Sequence, residues 1–201
     1  MNKLTLFLAL FVLTLNTPLI GQLLGNIVES VNYEVENNPK AKGLDFSVRC
    51  FEDWMVSSGD RPNIPVKFET IISNTAFACF VQILDLHTTF EESEKKDAYE
   101  EAINVIKNKP GTDLELVVKD IEIDGISGIK YIYNQKIKRI DDMYYFKCSN
   151  YALIYKNFLI TIVYKIGGGI DDQNSINEVF KTNLPLIDDL AGMFVLLSKY
   201  K

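Results

Sequence analysis

Residues 151–166 (YALIYKNFLITIVYKI) constrain the fold of this chain more than any other stretch. Apolar side chains occupy both odd and even positions, except around Lys156 and Asn157. An apolar run of this kind is typical of strands at the centre of a sheet, because such strands are buried on both sides. We therefore predict two central strands joined by a tight hairpin, with Asn157 at a left-handed turn position.

Strand patterns also appear before the middle of the chain. After Gly43, apolar and polar residues alternate over residues 44–50, which is the period of a half-buried strand. The stretches 66–72 and 76–86 are apolar, and Ser73, Asn74 and Thr75 separate them. This arrangement predicts a β-hairpin.

A second group of strands is predicted after residue 113. Within residues 114–123 the apolar positions change parity, which predicts a bulge or register change near Lys119. Asp124 and Gly125 predict a turn into a strand at residues 129–140. A further turn at residues 141–142 leads into a strand at residues 143–154.

Helical periodicity replaces strand periodicity after Thr89, which with Glu92 fits a capping box. The apolar positions that follow have helical i, i+3, i+4, i+7 spacing: Tyr99, Ala102, Ile103 and Ile106. Pro110 and Gly111 would end this helix, so we predict about five turns packed on a sheet. Residues 175–197 predict a closing helix that is interrupted or restarts at Pro185.

The N-terminus has the pattern of an export signal. Positively charged Lys3 precedes the apolar residues 4–15, which are shorter than the roughly 20 apolar residues needed to span a bilayer. Asn16, Thr17 and Pro18 then break the helix, and Gly21 offers a small residue for cleavage. We predict a signal peptide at residues 1–21 and an exported protein, periplasmic or secreted.

The remaining chain predicts one domain after a short leader. Residues 22–42 show no convincing period and form the predicted leader, whereas residues 43–201 form a single predicted domain. The formal net charge of −6 and the scattered basic residues argue against nucleic acid as a partner. No later apolar run reaches spanning length without charges, so we expect no stable membrane insertion.

The three cysteines, Cys50, Cys79 and Cys148, do not form a recognisable motif. They are widely separated and contain no C-x-x-C pair, which argues against a zinc site and a thioredoxin-type site. Export would permit one disulfide, and the sequence does not choose among the three pairings. Each cysteine lies in an apolar or strand-like stretch, so we favour buried free thiols.

Several of these segments together resemble a known fold. They are the opening strand that closes on a tryptophan (GLDFSVRCFEDW), the mid-chain helix, the hairpins IDGISGIKYIY and YALIYKNFLITIVY, and the closing helix. Over residues 43–197 this pattern resembles the PsbP-like fold superfamily, which includes lumenal photosystem II proteins, a Ran-binding nuclear transport factor and small exported bacterial proteins. The resemblance implies an α+β fold with an antiparallel sheet flanked by helices on both faces, and it identifies no catalytic, cofactor or metal residue.

His87 is the only histidine in the chain, which limits acid–base catalysis. It ends a predicted strand, and no G-x-S-x-G motif accompanies it. A hydrolase would need a carboxylate or nucleophile that folding brings close to His87. We favour a strand-end or surface histidine without a catalytic role.

Other candidate sites also have a simpler structural interpretation. Residues 167–169 (GGG) resemble a phosphate loop but lack the G-K-[ST] ending, so we expect a flexible connector between strand and helix. Asp120, Glu122 and Asp124 could meet a calcium ion, although alternating carboxylates usually form the wet face of a strand. Trp54 could be a ligand platform, but we favour packing in the core.

The sequence therefore favours an exported, non-catalytic binding or assembly module that requires no cofactor and binds a protein or small ligand. The sheet face and the loop at residues 59–65 (GDRPNIP) are the candidate contact surfaces. The alternative function is a secreted or periplasmic hydrolase built around His87.

Overall fold

The computed structural model describes residues 29–113 and 119–200. These residues form ten strands and two α-helices. The strands are β1 (Ser30–Val35), β2 (Phe46–Phe51), β3 (Met55–Ser57), β4 (Val66–Ile72), β5 (Thr75–Asp85), β6 (Thr112–Asp113), β7 (Lys119–Ile123), β8 (Ile126–Arg139), β9 (Asp142–Tyr155) and β10 (Phe158–Gly169); the helices are α1 (Lys95–Lys107) and α2 (Gln173–Gly192).

Eight strands form one antiparallel sheet in the order β3-β4-β5-β10-β9-β8, with β6 and β7 both pairing with β8 at its outer edge. The two strands within residues 151–166 are β9 and β10, and both lie inside the sheet. Strands β1 and β2 form a separate two-stranded sheet, and an isolated bridge joins Ser47 of β2 to Val195 near the C-terminus. The predicted α+β class is therefore confirmed.

Two hairpin turns form where the sequence places residues that tolerate positive φ. Ser73 and Asn74 join β4 to β5, and Asp124 and Gly125 join β7 to β8; all four have positive φ. In the β9–β10 turn the left-handed residue is Lys156, with φ of 55°. The assignment of that position to Asn157 was wrong, because the Asn157 side chain instead donates a hydrogen bond to Asp85 at 2.8 Å.

Helices cover the sheet on both faces. The larger apolar core lies between one face, β1, β2 and α2, and includes fully buried Phe46, Phe68 and Phe180. A smaller core on the opposite face packs Tyr99 and Ile103 of α1 against β8, β9 and β10. The sheet flanked by helices on both faces, which the resemblance implied, is thus confirmed.

Helix α1 is shorter than predicted, although its buried face is the predicted one. It begins at Lys95, and Glu94 occupies the N-cap position without a side-chain capping bond. The predicted capping box of Thr89 and Glu92 is therefore wrong. The carboxylate of Glu92 instead pairs with Lys95, 2.6 Å from its Nζ, which leaves the first turn without that cap.

Helix α2 runs through Pro185 without interruption, which corrects the predicted break. Its buried residues occur both before and after the proline, so packing against the sheet offsets the lost backbone hydrogen bond. Buried Asn183 donates to the carbonyl of Val179 at 2.7 Å within the same helix. Packing of α2 against the sheet thus outweighs the helix-breaking tendency of Pro185.

The predicted leader contains a strand that sequence reasoning missed. Strand β1 lies within residues 22–42 and pairs with β2, and Ala41 in the following 3₁₀ turn is fully buried. The exposed positions of β1 outnumber its buried ones, which explains the absence of a clear period. The predicted signal peptide and the apolar residues before the predicted bulge at Lys119 lie outside the described residues.

Candidate functional site

The candidate site lies on the α1 side of the sheet, beyond the end of the sheet that α1 covers. The register places Lys165 of β10 between Ala78 of β5 and Cys148 of β9. Because side chains alternate along a strand, Phe80 and Phe146 share this face with Lys165. We call the surface formed by Ala78, Phe80, Phe146, Cys148 and Lys165 the Lys165 face.

A cation over an aromatic ring is the central feature of the Lys165 face. The Nζ atom of Lys165 lies 3.7 Å from the centre of the Phe146 ring. This contact lies within the distance at which the electron-rich face of a ring attracts a cation. The Tyr144 ring stacks beside Phe146, with 6.5 Å between ring centres, and extends the aromatic surface toward the β8–β9 turn.

Gly167 makes room for that ring. A Cβ atom at Gly167 would overlap the side chain of Phe146, the residue paired with it on β9. Gly167, Gly168 and Gly169 are the last residues of β10 and remain paired with β9. The predicted flexible connector is therefore wrong, because strand pairing with β9 continues through all three glycines.

The electrostatic surroundings of Lys165 are unusual for an acidic chain. Burial lowers the pKa of Lys165 below its ordinary value, and the positive charges of Lys109, Arg139 and Arg61 lower it further. Only the neighbouring Cys148 acts in the opposite direction. Within residues 29–113 and 119–200, no ion pair involves Lys165. A bound anion would stabilise this charge.

Apolar side chains border the Lys165 face toward the β3 edge. Ala78, the partner of Lys165 on β5, also pairs with Glu69 of β4. Glu69 in turn pairs with Met55 of β3. Met55 is 64% exposed, and Ile71, two residues along β4 from Glu69, is 74% exposed. The surface thus combines a cation, aromatic rings, exposed apolar side chains and the ion pair of Lys67 with Glu69. The lysine over the ring and the apolar side chains suit a ligand with an anionic group on an apolar body.

All three cysteines are buried free thiols, as favoured from the sequence. Burial raises the pKa of Cys50 and Cys148 to about 11 and that of Cys79 to about 12. A nucleophilic cysteine needs a lowered pKa and partial exposure. These thiols are therefore protonated core residues at neutral pH.

His87 lies beside a carboxylate but on the surface. Its Nδ1 atom is 3.4 Å from Oδ1 of Asp85, and its backbone N–H donates to the same oxygen at 2.8 Å. The His87 side chain is 84% exposed. Asn157 also donates to Asp85, so this carboxylate stabilises the turn after β5. Folding thus supplies the carboxylate that a His87 site would need, without burying the pair.

Trp54 belongs to the core, as we favoured from the sequence. It is 8% exposed, and its ring centre lies 5.5 Å from that of Phe51 and 6.5 Å from that of Phe77. A cavity of about 20 Å³ beside it is also lined by Tyr164 and Asn183. That volume holds about one water molecule, so Trp54 is not a ligand platform in this conformation.

The three carboxylates in and just after β7 have different surroundings. Asp120 and Glu122 are exposed, and Asp124 accepts hydrogen bonds from the Leu196 backbone N–H at 3.0 Å and the Tyr200 hydroxyl at 2.5 Å. Within the described part of the chain, no group of three or more metal-ligating side chains occurs. Asp124 instead holds the C-terminal segment against the β7–β8 turn.

The loop at residues 59–65 is fixed to the body of the protein. Lys40 donates to the carbonyl of Gly59 at 2.5 Å, and the backbone N–H of Gly59 donates to the carbonyl of Ile64 at 3.2 Å. The carbonyl of Asn63 accepts from the backbone of Ile83 at 2.9 Å. The loop assignment is correct, and these bonds give the loop a defined shape.

Lys165 was not predicted from the sequence, because a single lysine in an apolar strand carries no local motif. A polar cluster under α2 was also not predicted; in it, Nζ of Lys130 lies 2.5 Å from Oδ1 of Asp188. The Tyr151 hydroxyl donates to the same carboxylate oxygen. Lys130 on β8 and Tyr151 on β9 are buried, and both contact Asp188 on α2. The cluster therefore fastens α2 to these two strands.

Comparisons with known proteins give structural neighbours only. No family model matches the chain, and no curated protein matches it by sequence. LpqN of Mycobacterium tuberculosis, involved in cell envelope biogenesis, has 10% identity and a TM-score of 0.46; the match covers 84% of this chain and 91% of LpqN. The Ran-binding protein Mog1p of Saccharomyces cerevisiae has 9% identity and a TM-score of 0.46, covering 84% of this chain and 96% of Mog1p. In the described residues, no helix is long and apolar enough to cross a membrane.

Proposed function

We propose that this chain is a non-catalytic binding module that binds an anionic group carried on an apolar body through the Lys165 face. The observation that carries the proposal is the ammonium group of half-buried Lys165 over the Phe146 ring. A carboxylate bound there would pair with Lys165, while its apolar part would contact Phe80 and the exposed side chain of Met55.

The physical support is the energetic cost of a partly buried positive charge. A cation partly removed from water, without a carboxylate among the described residues that pairs with it, lowers the stability of the folded state. Like charges on Lys109, Arg139 and Arg61 add to that cost. An anionic ligand would relieve both effects, and such unfavourable charge arrangements cluster at functional sites.

Nuclear magnetic resonance of the lysine side chains tests this proposal with defined probes. Decanoate supplies a carboxylate on an apolar chain, acetate supplies the carboxylate alone, and decyltrimethylammonium supplies the chain with the opposite charge. We expect decanoate to shift the Lys165 signals and raise the Lys165 pKa, acetate to bind more weakly, and the cation not to bind there.

Substitutions locate the binding site. Lys165→Met should weaken decanoate binding about tenfold or more, because a charge-assisted hydrogen bond is lost. Lys181 on α2 is exposed, so Lys181→Met is the matched control and should bind decanoate normally. Equal decanoate affinity in both variants, or shifts confined to residues outside the Lys165 face, would contradict the proposal.

Hydrolysis is the second candidate function, and the contact between His87 and Asp85 is the observation that favours it. It is weaker because His87 is exposed, whereas acid–base pairs usually act in a cleft that excludes water. A complementation assay in the source organism with His87→Ala tests it. Loss of function with unchanged thermal unfolding would favour hydrolysis over binding.

We also infer that the protein is exported and that residues 1–21 are removed. The support is the order of positive charge, short apolar run and helix-breaking residues at the N-terminus. Intact-mass measurement of protein recovered from the native host should give an N-terminus within a few residues of Gln22. Retention of residues 1–21 in exported protein would contradict this inference.

A further inference from the structure

The hairpin formed by β8 and β9 ends in an exposed isoleucine. Arg139 pairs with Asp142, so the turn consists of Ile140 and Asp141 alone. Ile140 has a positive φ of 53° and is 91% exposed. It is therefore the most exposed large apolar residue among those that the structure describes.

Folding gives no reason for an isoleucine at this position. A β-branched residue is a genuine outlier at positive φ, where glycine and asparagine are tolerated. The other non-glycine residues with positive φ in the described ranges are not β-branched: Asn37, Lys42, Ser73, Asn74, His87, Asp124 and Lys156. Ile140 thus combines backbone strain with an apolar surface left in water, and both are unfavourable for the folded chain.

The surroundings of Ile140 combine an apolar tip with charges of both signs. Met143 is 37% exposed and pairs with Lys138, the second pair of residues from the turn. Arg139, Asp141 and Asp142 are also exposed. An apolar centre bordered by mixed charges is the usual composition of a protein–protein contact.

We propose that the β8–β9 turn is a docking element in which Ile140 inserts into an apolar socket on a partner protein. A lipid surface fits less well, because Asp141 and Asp142 offset Lys138 and Arg139 and leave no net positive charge to attract anionic headgroups. At the rim of a protein socket, these carboxylates and Arg139 can each meet an opposite charge. The docking element does not include Lys165 or Phe146, and the proposal does not depend on ligand binding at the Lys165 face.

Photo-crosslinking in the native host tests this docking element. The full-length chain carries p-benzoylphenylalanine at the position of Lys138, in three forms with Ile140 unchanged, Ile140→Leu or Ile140→Gly. We expect one discrete protein adduct in the unchanged and leucine forms. The adduct yield of the glycine form should fall about tenfold or more, because the apolar anchor that the partner buries is lost.

The β9–β10 hairpin supplies a matched control. Lys156 occupies the first position of a two-residue turn, is exposed and has φ of 55°, close to that of Ile140. The crosslinker placed there should not give the same adduct. Purified Ile140→Gly protein should unfold at a midpoint equal to or above that of the unchanged protein, because glycine relieves the strain.

Several results would overturn the proposal. These are the absence of a discrete adduct, an equal adduct in the glycine form, a loss of adduct in the leucine form, and the same adduct from the crosslinker at Lys156. A lower unfolding midpoint for Ile140→Gly would remove the premise of strain. An adduct with the mass of a second copy of this chain, or Ile140-dependent flotation with phosphatidylglycerol and phosphatidylcholine vesicles, would assign the turn to self-association or to lipid.

Discussion

The hydroxyl of Tyr99 on α1 accepts a hydrogen bond from the backbone N–H of Ile154 on β9, with 2.8 Å between oxygen and nitrogen. The same hydroxyl donates to the carbonyl of Ser127 on β8 at 2.9 Å. One side chain of the helix therefore satisfies backbone groups of two neighbouring strands.

Tyr99→Phe should destabilise the protein by about 1–3 kcal/mol, because it leaves the buried N–H of Ile154 without an acceptor. Urea unfolding of both proteins measures the difference. The Tyr133→Phe substitution on β8 provides a comparison at a tyrosine outside α1. An unchanged midpoint and slope for Tyr99→Phe would show that water replaces the lost acceptor.

Ile103→Ala should cost about 2–4 kcal/mol, because it removes buried methylene groups from the smaller core and leaves a cavity. Val105 is on the same helix and 68% exposed, so Val105→Ala should change stability by about 0.5 kcal/mol or less. Chemical denaturation of the two variants compares them directly. Similar losses would mean that the buried face of α1 is assigned incorrectly.

Asp188→Asn should destabilise the protein by about 1.5–3 kcal/mol, the usual contribution of a hydrogen bond to a charged group. The substitution keeps the shape of the side chain but leaves the buried ammonium group of Lys130 without its carboxylate. Asp189→Asn at the exposed neighbouring position is the control. Equal thermal midpoints in the two variants would show that the Lys130 pair does not fasten α2.

Lys165→Met should stabilise the ligand-free protein by about 0.5–1 kcal/mol at neutral pH, since methionine fills similar space without a buried charge. Because burial lowers the Lys165 pKa, the charged form opposes folding. This penalty is complete below the folded-state pKa and disappears as pH rises to the ordinary lysine value of about 10.5. Unfolding free energies at several pH values should therefore converge for the two proteins, and a constant difference would contradict the assignment.

Stability should also fall in alkaline solution because of the buried thiols. Folded-state pKa values of about 11 for Cys50 and Cys148 and about 12 for Cys79 exceed the ordinary thiol value. Each thiol contributes stability that is complete below about pH 8.5 and is lost as pH rises through its folded-state pKa. Cys79→Ala should show a shallower decline than the unchanged protein between about pH 9 and 11. Parallel declines would rule out Cys79 as a contributor.

The features of the fold that sequence could predict are those that depend on neighbouring residues. Two-residue turns at Ser73–Asn74 and Asp124–Gly125 follow from residue types that tolerate positive φ. The buried face of α1 follows from the spacing of Tyr99 and Ile103. Such signals act over a few residues, so they identify single elements and hairpins.

Local periodicity and turn residues encode the central hairpin at residues 151–166 and the α+β composition. Long-range packing, in contrast, is what places β2 outside the main sheet, keeps α2 continuous through Pro185 and pairs Gly167 with Phe146. The same holds for the candidate site, since the Lys165 face forms only when β5, β9 and β10 pair in one register. That register depends on which distant side chains pack together, and no short segment contains this information.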